Sequence, residues 1–199
     1  MPTDRIIYDV EIANPIANNW NVSKHPEIKT WAKSWEDFLG MGISCIGFYS
    51  FSSDQYCVTE DLGRFQYAIK DAEIIGFNTR SFDDRLLQAH GVDIKTHYDL
   101  LEEIRIAAGY PPQWGAEFKG CGLSYKLELM AQVNLGQTKA TTGADTPIQW
   151  QKGNKAVVKA HVLQDVIITK QLYEKAELID PNTGAWLKLK HQKDKINPL

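Results

Sequence analysis

Two acidic residues stand at the end of a short apolar run near the start of the chain. Asp9 and Glu11 follow Ile6 and Ile7 in the sequence IIYDVEIA. Because side chains alternate between the two faces of a strand, acids at positions i and i+2 lie on the same face. A solvated strand face would show the same pattern, although a run this apolar is typical of a covered central strand. The spacing therefore predicts two carboxylates that converge near one end of a strand.

A second polar group follows the apolar segment EIIGF. We expect this strand to end at Phe77, with Asn78 in the next turn and Phe82 and Asp83 on the first turns of a helix. An ordinary N-cap at Asn78, with an acid that favours the positive end of the helix, would also explain these residues. Only one acid of the pair Asp83 and Asp84 is expected to face inward, and we assign that place to Asp83.

The third acidic group lies on a long apolar segment in the second half of the chain. His161 and Asp165 are four residues apart, so a helix places both side chains on one face. Val157 and Val166 in the same segment are typical of a buried stripe. A surface ion pair would explain one histidine four residues before an acid. The presence of two other acidic groups favours a shared site instead.

The elements that must position these residues predict an α/β fold with a mixed sheet, in a single domain over residues 1–199. Strands are expected at 5–10, 42–51, 55–59 and 73–77, with a hairpin between the second and the third. Helices are expected at 26–39, at 61–70 with Asp61 as its N-cap, from 78–81 onward, and at 98–108, 123–133 and 154–178. A turn at 181–184 precedes a short strand or helical turn at 185–189, and a short basic tail follows from about residue 190.

Composition and charge restrict the class of protein. The 199 residues are 43% hydrophobic, which suffices for one core without a disulfide or a metal. The formal net charge is −3, so contact with a polyanion must be local or mediated by metal. Cys45, Cys57 and Cys121 form no CxxC pair and are expected to be reduced thiols. No apolar run approaches the length of a membrane span, and we expect a soluble, cytoplasmic protein.

Taken in order, the three acidic groups resemble the exonuclease motifs of the DEDD family of the ribonuclease H-like superfamily. The similarity extends from Ile6 to about Tyr173, and the chain resembles the exonuclease domain of family B DNA polymerases. It rests on a DxE motif at Asp9 and Glu11, an NxxxFD motif from Asn78 to Asp83, and the pair His161 and Asp165. The resemblance implies a metal-dependent 3′–5′ exonuclease whose mixed β-sheet is flanked by helices, as in ribonuclease H.

The last motif departs from the family pattern. Family members usually have either tyrosine with three residues between it and the aspartate, or histidine with four residues between. This chain has an imidazole at the tyrosine spacing, because three residues separate His161 from Asp165. The chain therefore matches neither subtype in full.

The resemblance also implies two divalent cations, Mg²⁺ or Mn²⁺, held by four acids. Asp9 would bridge both ions, Glu11 and Asp165 would bind the ion on the side of the nucleophile, and Asp83 would support the other ion. Oxygen ligands suit such hard cations, and ions about 3.5–4 Å apart activate a water and stabilise the leaving oxygen. His161 would act as general base and accept the proton of that water.

The expected substrate is the 3′ end of a single-stranded nucleic acid, with DNA favoured over RNA. The resemblance implies that Asn78 and Phe82 line the terminal nucleotide, although Phe82 is equally compatible with the core. Candidate phosphate contacts are the lysines at Lys126, Lys139, Lys152, Lys155 and Lys159. The protein would act alone or in association with a replication or repair protein.

Two alternatives stay open at this point. One is a ribonuclease H-like module that binds nucleic acid without cutting it, since a fold can keep its shape and change its function. The other is a nuclease of the same fold that cuts internally or processes RNA. The first alternative predicts binding without a requirement for metal, and the second predicts internal cuts.

Overall fold

The computed structural model of the protein describes residues 4–113, 122–138, 143–175 and 177–190, with the backbone alone at 19–21. Its strands are β1 Arg5–Ile12, β2 Ile43–Ser50, β3 Gln55–Thr59, β4 Glu73–Gly76, β5 Tyr98–Asp99, β6 Leu178–Ile179 and β7 Trp186–Leu187. Its helices are α1 Asn19–Lys24, α2 Phe38–Met41, α3 Leu62–Ile69, α4 Asp83–Ala89, α5 Leu100–Ala107, α6 Leu127–Leu135, α7 Thr146–Gln151 and α8 Lys155–Glu174. The predicted α/β class is confirmed.

The first five strands form one mixed sheet with β1 at its centre. The strand order is β3-β2-β1-β4-β5, and β6 and β7 form a separate antiparallel pair. Strand β1 is antiparallel to β2 and parallel to β4, which is parallel to β5. Parallel neighbours end at the same edge of a sheet. The residues that close β1 and those that follow β4 are therefore brought to one edge.

The two faces of β1 have different partners. Ile7 packs in the same apolar cluster as Val166 of α8, and alternation places Asp9 and Glu11 on that face. Helix α8 packs against both β1 and β2. The opposite face contributes Ile6, Tyr8 and Val10 to a second cluster, together with residues of α3 and α4 such as Phe65, Leu86 and Leu87. The sequence alternation therefore directs the acids of β1 toward α8.

Gly47 of β2 allows α8 to approach the sheet closely. A Cβ at this position would lie 3.1 Å from the carbonyl oxygen of Val162 and 3.2 Å from Cγ2 of Val166. Gly47 is also the cross-strand partner of Asp9. The absence of a side chain at Gly47 thus lets α8 lie close to the acidic part of β1.

Farther toward the start of this helix, Val157 is 43% exposed, so its predicted place in the buried stripe is wrong.

The β2–β3 hairpin is confirmed, and so is the cap at Asp61. The Asp61 carboxylate accepts a hydrogen bond from the backbone N–H of Arg64 at 3.1 Å, which satisfies a donor in the first turn of α3.

Within β2, Cys45 is a buried free thiol, and burial raises its pKa to about 12. Cys57 in β3 is also free, whereas Cys121 lies outside the described residues.

The predicted helix over residues 26–39 is wrong. Instead, an irregular segment follows α1 and pairs with the loop after β1, where the backbone N–H of Ala32 donates to the carbonyl of Pro15 at 2.9 Å. The Asp37 carboxylate accepts from two backbone N–H groups, at 2.8 and 3.0 Å, and closes a turn before α2. Local capping by this acid competes with helix continuation. The scattered aromatic residues of the segment gave a misleading helical spacing.

Other differences concern the ends of elements. The predicted helix at 98–108 begins as strand β5, and Asp99 then caps α5 by accepting from the backbone of Leu101 at 3.1 Å. Helix α7, which has Pro147 in its first turn, was not predicted. Residues 185–189 contain strand β7, which pairs with β6.

Among the helices that the structure describes, none combines the length and apolarity needed to cross a bilayer.

Candidate active site

A cavity of about 1170 Å³ opens at the edge where β1 and β4 end. Its wall is built from the end of β1, the loop before α4, the segment before α6, and α8. The structure places all five residues that were predicted to carry chemistry in this wall: Asp9, Glu11, Asp83, His161 and Asp165. Residues from distant parts of the chain thus line one open cavity.

Three of these residues form a close group. Nε2 of His161 lies 3.4 Å from Oε1 of Glu11 and 3.6 Å from Oδ2 of Asp165. One ligand atom from each residue lies within 4.8 Å of the others, and all three residues are buried. The four-residue spacing on α8 places His161 and Asp165 side by side, and the packing of α8 on β1 brings Glu11 to them.

Thr146 is a polar neighbour of this group that the sequence did not reveal. Its hydroxyl donates to Oε2 of Glu11 at 2.5 Å, and the residue is 1% exposed. Thr146 begins α7, which packs against both β1 and α8. A threonine before Pro147 at a helix start is a weak sequence signal for such a contact. The hydrogen bond orients the Glu11 carboxylate and leaves its other oxygen toward His161.

Asp83 approaches the central strand from the opposite side of the cavity. Its Oδ1 accepts a hydrogen bond from the backbone N–H of Val10 at 3.1 Å, between the two acids of β1. Burial raises the pKa of Asp83 well above its ordinary value, and the nearby charge of Glu11 raises it further. Asp9 is half-buried in the same wall. Neither Asp9 nor Asp83 belongs to the close group, which contains two of the four acids.

The loop between β4 and α4 holds Asn78 in the left-handed region, with φ at 65°. The Asp99 carboxylate fixes this loop by accepting from the backbone N–H groups of Asn78 at 2.9 Å and Arg80 at 3.1 Å. Asn78 lines the cavity, but the N-cap position of α4 is occupied by Phe82, so the interpretation of Asn78 as an N-cap is wrong.

Asp84 corrects the expectation that only one acid of its pair faces inward. Both Asp83 and Asp84 are 6% exposed. The Asp84 carboxylate points into the core, where Oδ1 accepts from the hydroxyl of Tyr8 at 2.5 Å and Oδ2 accepts from the backbone N–H of Thr96 at 2.9 Å. Burial and both aspartates raise the pKa of Tyr8 well above its ordinary value. Asp84 is a structural acid, because its lone pairs are used by the core.

Phe82 packs against the core and also lines the cavity. Its ring packs 5.8 Å from the ring of Phe38, between centroids, while the residue also lines the cavity. Trp35 approaches the same ring edge-on at 6.2 Å and lines the cavity as well, although it is 65% exposed. Sequence reasoning assigned no role to Trp35, because its segment was expected to be helical.

The candidate phosphate-binding lysines are not all at the cavity. Lys126 lines it, whereas Lys152, Lys155 and Lys159 do not. These three form ion pairs elsewhere: Lys152 with Glu27 at 2.8 Å, Lys155 with Glu60 at 2.9 Å and Lys159 with Glu60 at 2.7 Å. The lining of this cavity therefore does not support these three as phosphate contacts. Lys139 lies outside the described residues.

Comparison with known proteins gives a match in structure but not in sequence. No family model and no curated protein matches the chain. Among solved structures it is similar to the family B DNA polymerase from the hyperthermophilic archaeon Pyrobaculum calidifontis, with a TM-score of 0.55 and 16% identity over 87% of this chain. The fold is ribonuclease H-like. The match covers 24% of the polymerase chain, so the likeness concerns the fold and not the activity of the whole enzyme.

The donors that this ribonuclease H-like fold gathers fit a hard divalent cation. The close group offers carboxylate oxygens of Glu11 and Asp165 together with one imidazole nitrogen, and Asp9 and Asp83 add carboxylates to the same wall. Mg²⁺ prefers oxygen ligands, and Mn²⁺ accepts both oxygen and nitrogen. Burial, and to a smaller extent the charge of Glu11, raises the pKa of Asp83, so an ionised carboxylate at this position is unfavourable without compensation. A bound cation would supply that compensation.

Proposed function

We propose that the protein is a metal-dependent 3′–5′ exonuclease that hydrolyses phosphodiester bonds at the 3′ end of a single-stranded nucleic acid, with DNA as the favoured substrate. The observation that carries this proposal is the convergence of Glu11, His161 and Asp165 within 4.8 Å in a large cavity. Asp83 joins the same wall through its hydrogen bond to Val10. A cavity wall that carries these carboxylates is suited to binding phosphate through bound metal cations.

Two bound cations, Mg²⁺ or Mn²⁺, would supply activation of a water and stabilisation of the leaving oxygen. The side chains of Asp9, Glu11, Asp83 and Asp165 would hold them. Thr146 keeps the Glu11 carboxylate in one orientation through its hydrogen bond. Because the carboxylate is already oriented, it would need less rearrangement when substrate binds.

His161 is placed to accept a proton. Its Nε2 lies within 3.6 Å of a carboxylate oxygen on each side, so the imidazolium formed by proton transfer would be stabilised by two negative charges. The residue is 2% exposed, which prevents bulk water from competing for the ring. These contacts support His161 as general base despite its tyrosine-type spacing to Asp165.

Substrate preference is supported by the likeness to polymerases. The sequence motifs resemble the exonuclease domain of family B DNA polymerases, and the fold is similar to part of one such polymerase. Asn78 and Phe82 line the cavity and are proposed to contact the terminal nucleotide. A replication or repair protein is the proposed partner. Lys126 at the cavity is the remaining described candidate for a phosphate contact.

The test is incubation with 5′-labelled single strands of DNA and RNA in Mg²⁺, Mn²⁺ or EDTA. A ladder that shortens from the 3′ end in metal but not in EDTA supports the proposal. Asp165→Asn protein purified in parallel controls for a contaminating nuclease. A single internal cut would indicate an endonuclease. An unchanged band in all lanes, with binding that does not depend on metal, would indicate a binding module and reject the proposal.

A further inference from the structure

The rim of the cavity carries an aromatic surface. The indole of Trp35 is 65% exposed and lines the cavity, and its ring meets the ring of Phe82 at 6.2 Å with an interplanar angle of 68°. Phe82 is supported from behind by Phe38. Trp186 on β7 is also 65% exposed but lies outside the cavity, so exposure alone does not distinguish Trp35. Trp35 differs from Trp186 because it lines the same cavity as the acids.

The segment that carries Trp35 is fixed on the loop after β1. Ile16 and Ala32 form a parallel bridge, and Ala32 is fully buried. The Gln151 side chain at the end of α7 ties the same region together by donating to the carbonyl oxygen of Thr30 at 2.6 Å. Trp35 is therefore presented on a segment held by packing and hydrogen bonds. A preorganised ring binds a flat partner with little loss of conformational entropy.

The aromatic surface is connected directly to the acids. Phe82 immediately precedes Asp83, whose carboxylate is bound to the backbone of Val10. A molecule that reaches the acids from the side of Trp35 therefore passes over Phe82. The substrate that suits both parts has a planar, weakly polar group joined to a phosphate, which describes a nucleotide in an unpaired strand.

We propose that Trp35 is a stacking platform for an unpaired nucleobase, and that it holds the strand whose phosphate enters the acidic part of the cavity. This inference rests on the proposed function and names a further binding residue for it. Every nucleobase has a π-face, so the platform binds independently of sequence. Stacking on an aromatic side chain contributes about 1–3 kcal/mol per base, which corresponds to roughly 5- to 150-fold in affinity.

The experiment compares Trp35→Ala, Trp35→Phe and the matched control Trp186→Ala. Affinity is measured in Mg²⁺ by fluorescence anisotropy of a labelled oligothymidylate whose last linkages are phosphorothioates that resist cleavage. A second probe has abasic sites in place of its last three bases. We expect Trp35→Ala to weaken binding of the first probe roughly 5- to 150-fold, Trp35→Phe to weaken it less, and Trp186→Ala to leave it unchanged.

The abasic probe separates stacking from a general loss of binding. We expect the wild type and Trp35→Ala to bind the abasic probe with equal affinity, because the stacking that the substitution removes is already absent from this probe. Equal affinity of Trp35→Ala and Trp186→Ala for oligothymidylate overturns the proposal. So does a loss in Trp35→Ala that persists at full size on the abasic probe.

Two controls keep the result interpretable. If Trp35→Ala fails to fold, as judged by its melting transition, Trp35→Phe and the two probes on the wild type decide: equal wild-type affinity for both probes rejects the platform. Cleavage of an unmodified oligonucleotide is measured in parallel. Normal cleavage without an effect at Trp35 rejects the platform but keeps the nuclease, whereas an effect on binding without any cleavage keeps the platform and rejects the nuclease.

Discussion

Asp83 and Asp84 are adjacent in the chain and equally buried, yet they belong to two different regions of the molecule. Asp84 lies in the core on one side of the sheet, where Tyr8 and Thr96 donate to both of its oxygens. Asp83 lines the cavity, and its pKa is raised by burial and by the charge of Glu11. The different partners of the two carboxylates determine these surroundings: Asp84 contacts Tyr8 and Thr96, whereas Asp83 contacts the backbone of Val10 at the cavity.

This difference shows that burial does not identify a functional acid. A buried carboxylate whose oxygens are saturated by hydrogen bonds stabilises the fold, and its removal leaves buried donors without an acceptor. A buried carboxylate that faces a cavity beside other carboxylates lowers stability until a cation or substrate arrives. The direction of the lone pairs therefore separates the two roles, and this direction can be tested by substitution.

The largest effect on cleavage is expected from substitution of an aspartate that lines the cavity. Asp165→Asn and Asp9→Asn should reduce metal-dependent cleavage to background, because each removes a negative charge that binds cation, while the melting temperature stays at or above that of the wild type. Glu174→Gln, at the exposed end of the same helix as Asp165, is the matched control. Full activity in either aspartate variant would remove the metal-ligand assignment.

The same variants should change the response of stability to metal. Saturating Mn²⁺ at about 100 times its Kd stabilises a protein by about 2.7 kcal/mol. We expect a corresponding rise in the melting temperature of the wild type, and little or none for Asp165→Asn. An equal rise in both proteins would indicate that Mn²⁺ binds somewhere else.

His161→Ala is expected to slow turnover by roughly 10²- to 10⁴-fold, the usual contribution of a general base. The ring has no role in the core comparable to that of Asp84, so the melting transition should change less than the rate. Single-turnover kinetics at saturating metal separate the chemical step from binding. An unchanged rate would show that the proton leaves without this side chain.

The matched pair Asp84→Ala and Asp83→Ala tests the comparison most directly. Asp84→Ala leaves the Tyr8 hydroxyl and the Thr96 donors buried without an acceptor, and should lower the free energy of unfolding by about 3 kcal/mol. Asp83→Ala leaves one donor, the backbone N–H of Val10, without its acceptor but also removes a charge that burial disfavours, so it should lower the free energy of unfolding by less, about 1 kcal/mol. Urea unfolding in EDTA measures both. Equal losses would contradict the distinction between structural and cavity acids.

A smaller effect is expected from the pH-dependent ionisation of Tyr8, the phenol that donates to Asp84 in the core. Because the pKa of Tyr8 is raised, the folded protein keeps this phenol protonated above pH 10 while the unfolded chain ionises it. Stability from this group is therefore present below about pH 10 and lost above it, by about 1.4 kcal/mol per pH unit. In unfolding experiments between pH 9 and 11, Tyr8→Phe should show the shallower decline. Tyr67→Phe, at a residue 83% exposed, is the control and should follow the wild type.

Much of the fold was predictable because it is specified locally. The apolar run before Asp9, the hairpin and the cap at Asp61 are each determined by neighbouring residues, and the structure confirms all three. The segment at 26–39 was not predictable in this way. Its conformation depends on pairing with the loop after β1 and on the turn closed by Asp37, which a search for periodicity does not detect.

The sequence predicted which residues belong to the candidate site but not how they are arranged in space. Strand and helix periods placed Asp9 with Glu11 and His161 with Asp165, and the structure places these pairs in one cavity. The contact of Thr146 with Glu11 and the exposed ring of Trp35 depend on tertiary packing, for which the sequence carries little signal. The pairing of three predicted lysines with Glu27 and Glu60 is likewise a property of the folded surface.

The close group joins Glu11, from the first strand of the sheet, to Asp165, from the last long helix. Such a contact between distant parts of a chain forms late, because the loop between them must close first. During synthesis, a ribosome-bound chain whose α8 has not yet packed on β1 would lack the close group. On the proposed function, such a chain would bind the proposed cations weakly and would not cut nearby nucleic acid.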